Sequence, residues 1–199
     1  MARDRDVAAF DARAPGYEDG WLGRLHHEIA DRTAELALAC VPAPHRVLDV
    51  GCGTGYLLRQ LAVRVPEAAE LTGIDAAPSM IEVAAALTAD DRVRYRTGVS
   101  EQLPLPAGTV DLVVSTTSFD HWADQRAGLA ECARVLVPGG TLVLVDQFSA
   151  WLLPTLLAGR RGRARTAGWP ARLLAATGFR ALQWHDLYAV IIKAVTASV

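Results

Sequence analysis

The segment VLDVGCGTGYLLRQLA contains an aspartate, Asp49, followed by three closely spaced glycines, Gly51, Gly53 and Gly55. Glycine lets the backbone turn tightly and approach a ligand without a side-chain clash. A second acid, Asp75, follows Gly51 by 24 residues, and an acid about 20 residues beyond such a loop is the expected partner of ribose hydroxyls. The spacing therefore predicts a site for a ligand that contains an adenosine.

The same loop departs from the pattern that binds the pyrophosphate of a dinucleotide. That pattern is GxGxxG, but here the third glycine comes one position early and Tyr56 stands in the place of the last glycine. Asp49 would also repel a phosphate by several kcal/mol at about 4 Å and an effective dielectric of roughly 20. The same charge would attract S-adenosylmethionine, which carries a sulfonium, an ammonium and an adenosine but no phosphate. The residues therefore favour S-adenosylmethionine over NAD as the cofactor.

Strands and helices that could position these residues alternate along the chain. Short apolar stretches predict strands at 45–51, 70–75, 92–98, 108–117, 141–147, 179–186 and 188–196. Apolar positions at helical spacing predict helices at 21–40, 54–65, 78–89, 124–137 and 170–177, whereas residues 1–20 are expected to be irregular or marginally helical. This alternation is typical of a doubly wound α/β fold with a mostly parallel seven-stranded sheet, closed by an antiparallel pair. We expect a single domain, with an N-terminal helical cap or lid at 1–41 and a cofactor-binding core at 42–199.

Four motifs carry a resemblance to a known family. VLDVGCGTG, LTGIDAAPSMIEVA, YRTGVSEQLPLPAGTVDLVVS and ARVLVPGGTLVLVD follow one another over roughly residues 45–148. In this order they resemble the class I S-adenosylmethionine-dependent methyltransferases, and they are most similar to the small-molecule branch that includes the quinone-biosynthesis enzymes. The resemblance implies transfer of a methyl group from S-adenosylmethionine to a small acceptor by in-line displacement. Two alternatives stay open: a non-catalytic S-adenosylmethionine-binding protein, and a Rossmann oxidoreductase of the NAD type.

The resemblance also implies which residues hold the cofactor. Residues of the glycine segment would line its methionine end, Asp75 would accept the ribose hydroxyls, and further residues would border the adenine, face the ammonium or cover the site. The complete set is Tyr17, Asp49, Gly51, Cys52, Gly53, Gly55, Asp75, Ala76, Met80, Ser100, Glu101 and Thr116. The sequence departs from the family at Val99, which stands where an Asp commonly accepts the adenine amino group. Glu101 or a backbone carbonyl is the expected replacement.

His121 is the candidate catalytic base, because it follows the fourth predicted strand and should lie at the mouth of the pocket. An imidazole titrates near neutral pH and can take a proton from an acceptor hydroxyl, amine or acidic carbon. The alternative, a packing or helix-capping histidine beside Trp122, is weighted equally. His26 and His27 lie on the N-terminal helix that should cap the pocket. They are expected to be exposed surface histidines, and the alternative is that one of them contacts substrate. The segment 184–186 (Trp-His-Asp) is a weaker candidate for contact with substrate.

Composition narrows the remaining possibilities. A formal net charge of −2 and a pI near 6.2 give no general attraction to nucleic acid or to an anionic membrane. The three cysteines are widely spaced and no His or Cys pair has zinc-ligand spacing, so we expect reduced thiols, a cytoplasmic location and no metal. No secretory signal is expected, and no apolar run reaches the roughly 20 residues that span a bilayer.

An arginine-rich stretch is expected to be a solvated loop, or else a lid that binds an anionic substrate; it comprises Arg160, Arg161, Arg163, Arg165 and Arg172. The acceptor, the methylated atom and the oligomeric state stay open.

Overall fold

The computed structural model describes residues 2–148, 167–189 and 191–199. Its strands are β1 (Arg46–Val50), β2 (Glu70–Asp75), β3 (Val93–Thr97), β4 (Val110–Thr116), β5 (Leu136–Asp146), β6 (Arg180–Tyr188) and β7 (Ile192–Ser198). Its helices are α1 (Ala2–Arg13), α2 (Gly20–Cys40), α3 (Tyr56–Arg64), α4 (Pro78–Leu87), α5 (Gln125–Val135) and α6 (Gly168–Ala176). Two short 3-10 turns lie at Ala14–Gly16 and Phe119–His121.

Within these ranges the seven strands form one sheet in the order β3-β2-β1-β4-β5-β7-β6. The first five strands pair in parallel, whereas β7 runs antiparallel to both β5 and β6. The predicted doubly wound fold with a closing antiparallel pair is therefore confirmed. The chain steps from β1 to β2 and β3 on one side, and then to β4 on the other. In such sheets ligands bind in the crevice outside the carboxyl ends of the strands at this switch point.

The central strands are buried on both faces because helices cover both sides of the sheet. Successive side chains of a strand point to opposite faces, and β1 shows the consequence. Val47 packs in the apolar cluster of α2 and α3, whereas Leu48 packs in the cluster of α5 and α6. Asp49 follows with the parity of Val47, so it lies on the α2 and α3 side of the sheet.

The predicted N-terminal helices are present. Residues expected to be irregular or marginally helical form α1, and Asp11 at its end accepts a hydrogen bond from the backbone N–H of Ser79, at the start of α4 (2.9 Å). Helix α2 is also part of the core, because Ala30, Ala34 and Ala37 are buried in the cluster that it shares with α3. Alanine side chains allow this helix to approach the sheet closely.

The boundary between α5 and β5 differs from the predicted one. The sequence pattern extends α5 to residue 137, but the helix ends at Val135 and β5 begins at once with Leu136, which pairs with Val110. The backbone N–H of Thr109 donates to Val135 O (2.8 Å), which holds the extended chain beside β4. Long-range pairing therefore overrides the helical pattern at this point.

Candidate cofactor-binding and active site

A cleft of about 810 Å³, partly open to solvent, lies at the carboxyl ends of the central strands. We call it the main cleft. Ten of the sequence-predicted residues line it: Tyr17, Gly51, Gly53, Asp75, Ala76, Met80, Ser100, Glu101, Thr116 and His121. An adjoining space of about 490 Å³, the side cavity, shares Tyr17, Gly51, Gly53, Thr116 and Thr117 with the main cleft and adds Asp49 and Cys52. The predicted residues thus converge on two connected spaces, with the single exception of Gly55.

The backbone of the glycine loop is occupied by internal hydrogen bonds. The N–H groups of Gly51 and Cys52 both donate to Ile74 O, at 2.7 and 3.1 Å. The N–H of Gly53 donates to Asp75 Oδ2 at 2.9 Å. These bonds tie the end of β1 to the end of β2. A loop that cradles phosphate instead points its N–H groups at the ligand, so this loop offers few donors to an anion.

Gly55 has a structural place in the loop. It lines neither space, and its N–H donates to Cys52 O at 2.9 Å. Its φ of +80° lies in the left-handed region, and a Cβ placed on it would come within 2.3 Å of the hydroxyl of Tyr95. Glycine at this position allows α3 to begin beneath the ring of Tyr95.

Two buried oxygens at the ends of β1 and β4 have no hydrogen-bond partner within the described ranges. They are Asp49 Oδ1 and Thr116 Oγ1. Asp49 is 2% exposed. Burial, with a further contribution from the negative charge of Asp75, raises the pKa of Asp49 to about 8. An unsatisfied buried acceptor is costly, so the two oxygens form a receptor for a donor group and, at Asp49, for a positive charge.

Asp75 stands at the end of β2 with both carboxylate oxygens aligned by backbone donors. Oδ2 accepts from the N–H of Gly53 and Oδ1 from the N–H of Ala77, each at 2.9 Å. Burial raises the pKa of Asp75, and these two hydrogen bonds act against that rise. Each carboxylate oxygen has a second lone pair. Asp75 can therefore accept two further hydrogen bonds from adjacent hydroxyls, as a ribose presents them.

The wall beyond Asp75 is mostly apolar. Met80 is 1% exposed and packs with Ala14 and Ala77 beneath Tyr17. This arrangement suits a planar base inserted between α4 and the segment that follows β3.

The polar groups on the opposite side of the main cleft mostly form hydrogen bonds within the protein. Glu101 Oε1 accepts the backbone N–H of Asp124 (2.8 Å), and Oε2 accepts the Ser100 hydroxyl (3.1 Å). Val99 forms a β-bridge with Gln102 in the same turn. Glu101 therefore anchors this turn to the start of α5. It still lines the main cleft with Ser100 and Val99.

The turn that follows β4 has a strained backbone and is hydrogen-bonded to the end of β1. Thr117 has a φ of +52°, which is unusual for a β-branched residue and is often found at functional sites. The next residue, Ser118, donates to Val50 O at 2.9 Å and accepts from the indole N–H of Trp122 at 3.2 Å. A Cβ on Gly51 would lie 2.2 Å from the Ser118 hydroxyl. Close approach of the two loops therefore requires glycine at Gly51.

His121 ends the 3-10 turn after β4 and lines the main cleft with an exposed side chain. Its ring meets the edge of Phe10 from α1, with ring centroids 5.0 Å apart at 85°. Trp122, in contrast, is buried against Phe119. A buried carboxylate, Asp146 Oδ2, accepts the N–H of Asp120 and holds the turn (3.1 Å). The imidazole thus lies where an acceptor molecule in the main cleft could reach it.

Three more residues line the side cavity: Glu18, His26 and His27. Glu18 was not predicted. The preferred expectation of exposed surface histidines is wrong, since both are half-buried. His26 stacks on Tyr17 (centroids 4.9 Å) and His27 on Tyr56 (3.7 Å). In the sequence, only the position of the two histidines near the start of α2 indicates a place at the cavity. Whether they reach the cavity depends on how the turn before α2 folds back.

Glu18 is held by side chains from two elements. Its carboxylate lies 2.7 Å from Arg59 of α3 and 3.2 Å from His27 Nε2. Although burial opposes ionisation, hydrogen bonds from Thr54 and Arg59 outweigh it and lower the pKa of Glu18. The carboxylate of Glu18 is therefore already balanced in charge.

Other sequence candidates lie elsewhere. Trp184, His185 and Asp186 line neither space: Trp184 packs on Phe148, His185 lies 3.2 Å from Thr196 Oγ1, and Asp186 pairs with Lys193. The reason is that β7 separates their strand from β5. Arg160, Arg161, Arg163 and Arg165 lie outside the described residues, and Arg172 belongs to α6.

The described residues offer neither a metal centre nor a membrane-spanning helix. No group of three or more His, Cys, Asp or Glu side chains there could hold a metal ion. No helix of the described part is both long enough and apolar enough to cross a membrane.

Comparisons with known proteins agree with this geometry. The profile of a family described as a methyltransferase domain matches residues 48–144. A demethylmenaquinone methyltransferase of Thermus thermophilus is 38% identical over 142 residues, which cover 69% of this chain and 63% of the relative. A malonyl-[acyl-carrier protein] O-methyltransferase of Hahella chejuensis is 35% identical over 141 residues, covering 71% of this chain and 49% of the relative. The chain thus spans about half to two thirds of these relatives.

A solved structure from Thermotoga maritima extends the likeness over nearly the whole chain. It is described as an S-adenosylmethionine-dependent methyltransferase, possibly a histamine N-methyltransferase. It superposes with a TM-score of 0.73 and 19% identity, covering 96% of this chain and 98% of that structure. At this identity the likeness concerns the fold.

Proposed function

Since the chain belongs to the class I S-adenosylmethionine-dependent methyltransferases, we propose that it transfers the methyl group of S-adenosylmethionine to a small organic acceptor. S-adenosylmethionine is the cofactor of this family. Its sulfonium, when bound, supplies an electrophilic methyl group. The contribution of the protein is to bind the cofactor, align the acceptor and exclude water, which for oriented groups accounts for much of a rate enhancement.

One observation carries the proposal: the unpartnered buried oxygens of Asp49, which lines the side cavity, and of Thr116, which lines both spaces. An ammonium group would satisfy both oxygens and would favour the charged form of Asp49. Asp75, which lines the main cleft, would then receive the ribose hydroxyls. Met80 and Ala76 would flank the adenine. The residues present therefore fit the cofactor from its amino-acid end to its base.

The same geometry disfavours a dinucleotide. Gly51, Cys52 and Gly53 already use their N–H groups inside the protein. Asp49 and Asp75 add two carboxyl groups to the same region, and a pyrophosphate would raise the cost of ionising both. A cation instead offsets that cost.

Acceptor chemistry is expected in the main cleft beside His121. Its imidazole would accept the proton that an acceptor hydroxyl or amine loses during methylation. Phe10 and Tyr17 lie over this region and would shield the reaction from water. The apolar and aromatic lining, with Val7 and Trp122, supports an acceptor with an apolar or planar body. The named relatives act on different acceptors, so the family alone does not select one.

We also place the protein in the cytoplasm, without a nucleic-acid or membrane partner. The formal net charge of −2 provides no general attraction to polyanions. Cys40, Cys52 and Cys132 are unpaired, as is usual where thiols are kept reduced.

Calorimetry would test the cofactor assignment. S-adenosylhomocysteine should bind to the purified protein and NAD should not. Turnover of S-adenosylmethionine with a panel of phenols, quinols, amines and carboxylates would then test the activity. Binding of NAD in preference to S-adenosylhomocysteine would refute the proposed function, whereas binding without turnover of any acceptor would favour a non-catalytic binding protein.

A further inference from the structure

Two more side-chain nitrogens of residues that line the side cavity are buried without a hydrogen-bond partner in the described chain: Nε2 of His27, which lies 3.2 Å from Glu18 Oε2, and Nδ1 of His26. The ring of His26 is fixed by stacking on Tyr17, with centroids 4.9 Å apart and planes inclined by 23°. His26 lines the side cavity together with Asp49, and it does not line the main cleft. His121, in contrast, lines the main cleft and does not line the side cavity. The two histidines therefore belong to different ends of the site.

An amino-acid group in the side cavity presents a carboxylate as well as an ammonium. The nearby acids would repel that carboxylate, so it needs a donor. The backbone N–H groups of Gly51, Cys52 and Gly53 are not available, because each already donates to the end of β2. Arg59 is engaged with Glu18 and with Thr54 O, at 2.7 and 2.6 Å.

The nearest histidine is also committed to other contacts. His27 lies against Glu18 and stacks on Tyr56. Of the two unpartnered histidine nitrogens, Nε2 of His27 already lies 3.2 Å from the Glu18 carboxylate, whereas Nδ1 of His26 has no hydrogen-bond partner in the described chain. Supplying it with an acceptor would remove the cost of its burial.

We propose that His26 recognises the carboxylate of the methionine end of the cofactor by donating a hydrogen bond from Nδ1. This inference rests on the proposed use of S-adenosylmethionine. It requires the tautomer with the proton on Nδ1, which a bound carboxylate would select. Together with Asp49 and Thr116, His26 completes a receptor for a zwitterion, with an acceptor pair on one side and a donor on the other.

Two ligands that differ only in the amino-acid portion give the test. S-adenosylhomocysteine carries the carboxylate, whereas 5′-methylthioadenosine keeps the adenosine and the thioether but has no amino-acid group. His26→Phe preserves the aromatic stack on Tyr17 and removes the donor. His26→Asn returns an N–H close to the position of Nδ1. Arg24→Ala, at an exposed position of the same helix, is the matched control for folding.

By calorimetry, His26→Phe should weaken S-adenosylhomocysteine about tenfold to a hundredfold, the range for a hydrogen bond to a charged group. It should leave 5′-methylthioadenosine unchanged, and His26→Asn should recover part of the loss. Equal weakening of both ligands, or unchanged binding of S-adenosylhomocysteine, would overturn the assignment of His26. Failure of the unmodified protein to bind S-adenosylhomocysteine would instead overturn the proposed function.

Discussion

Replacing Asp49 by Asn should stabilise the empty protein and at the same time weaken its binding of the cofactor. Asp49 is 2% exposed, and Oδ1 has no partner in the described chain. Asn has nearly the same shape but no charge. If the buried carboxyl exists to receive an ammonium, its removal relieves a cost in the absence of ligand and abolishes an attraction in its presence.

The magnitude follows from the shift in the pKa of Asp49, from 3.8 to about 8. Because the pKa is raised on folding, the carboxyl favours the folded state fully below pH 3.8, and this contribution is lost as the pH rises through about 8. At pH 7 the raised pKa costs the folded state about 4 kcal/mol relative to the unfolded chain, at about 1.4 kcal/mol for each pKa unit between 3.8 and pH 7. The unpaired amide of Asn would cost ~1–3 kcal/mol. A net gain of about 2 kcal/mol raises the Tm of a domain of this size by ~4–8 °C.

Thermal unfolding of the empty protein at pH 7 measures the first effect. Calorimetry with S-adenosylhomocysteine measures the second, and we expect a loss of about tenfold or more for a charged hydrogen bond. A lower Tm together with unchanged affinity would refute the reasoning, since it would mean that Asp49 has a structural partner and no ligand.

The same carboxyl should make binding depend on pH. An ammonium selects ionised Asp49, which is the minor form below a pKa of about 8. The Kd of S-adenosylhomocysteine should therefore fall by close to tenfold, ~1.4 kcal/mol, between pH 6 and pH 7, with release of nearly one proton. Calorimetry at pH 7 in two buffers of different ionisation enthalpy counts that proton. In Asp49→Asn this dependence should largely disappear, and its persistence would assign the titration to another group.

Three further predictions concern the other parts of the site. Asp75→Ala should weaken S-adenosylhomocysteine more than about tenfold, because adjacent ribose hydroxyls lose their acceptor; unchanged affinity in calorimetry would remove Asp75 from the site. His121→Ala should lower turnover while the Kd of S-adenosylhomocysteine stays the same, and equal losses in both would point to packing. Gly55→Ala should lower the Tm by more than Gly108→Ala, since both glycines have positive φ but only at Gly55 would a Cβ meet Tyr95 (2.3 Å); equal changes would show that the backbone conformation alone matters.

The parts of the fold that local patterns encode were predictable. The apolar run of β4 and the Gly and Pro residues between elements predicted all seven strands, although β5 begins five residues before its predicted start and β7 four residues after. The end of α5 was not predictable in this way, because Leu136 joins β5 through its pairing with Val110, which is distant in sequence. The burial of α2 depends on similarly distant contacts. Its alanines do not distinguish a core helix from a surface helix, yet Ala34 and Ala37 are fully buried.

In the candidate site, likewise, residues could be predicted where local sequence patterns select them, but not where their role depends on contacts with distant segments. Asp49 and Asp75 could be selected from their spacing around the glycine loop. The protonation of Asp49 could not, since it depends on burial by elements far along the chain. Glu101 was placed at the border of the adenine, and its contact with the N–H of Asp124 depends on how α5 begins. For His26 the sequence offered a contact in the pocket only as the less favoured alternative, because its place at the side cavity depends on how the turn before α2 folds back.

The polar groups of the side cavity form a pattern that a folding argument alone does not explain. Asp49, Thr116, His26 and His27 each bury an atom without a hydrogen-bond partner in the described chain, and each such atom opposes folding. Glu18, a residue of the same cavity, is in contrast paired with Arg59. Unpaired groups that were only tolerated would be expected to scatter through the core. Their concentration where an ammonium and a carboxylate would lie indicates that the empty protein carries a cost which ligand binding removes, so the cofactor acts as a stabilising component of the folded state.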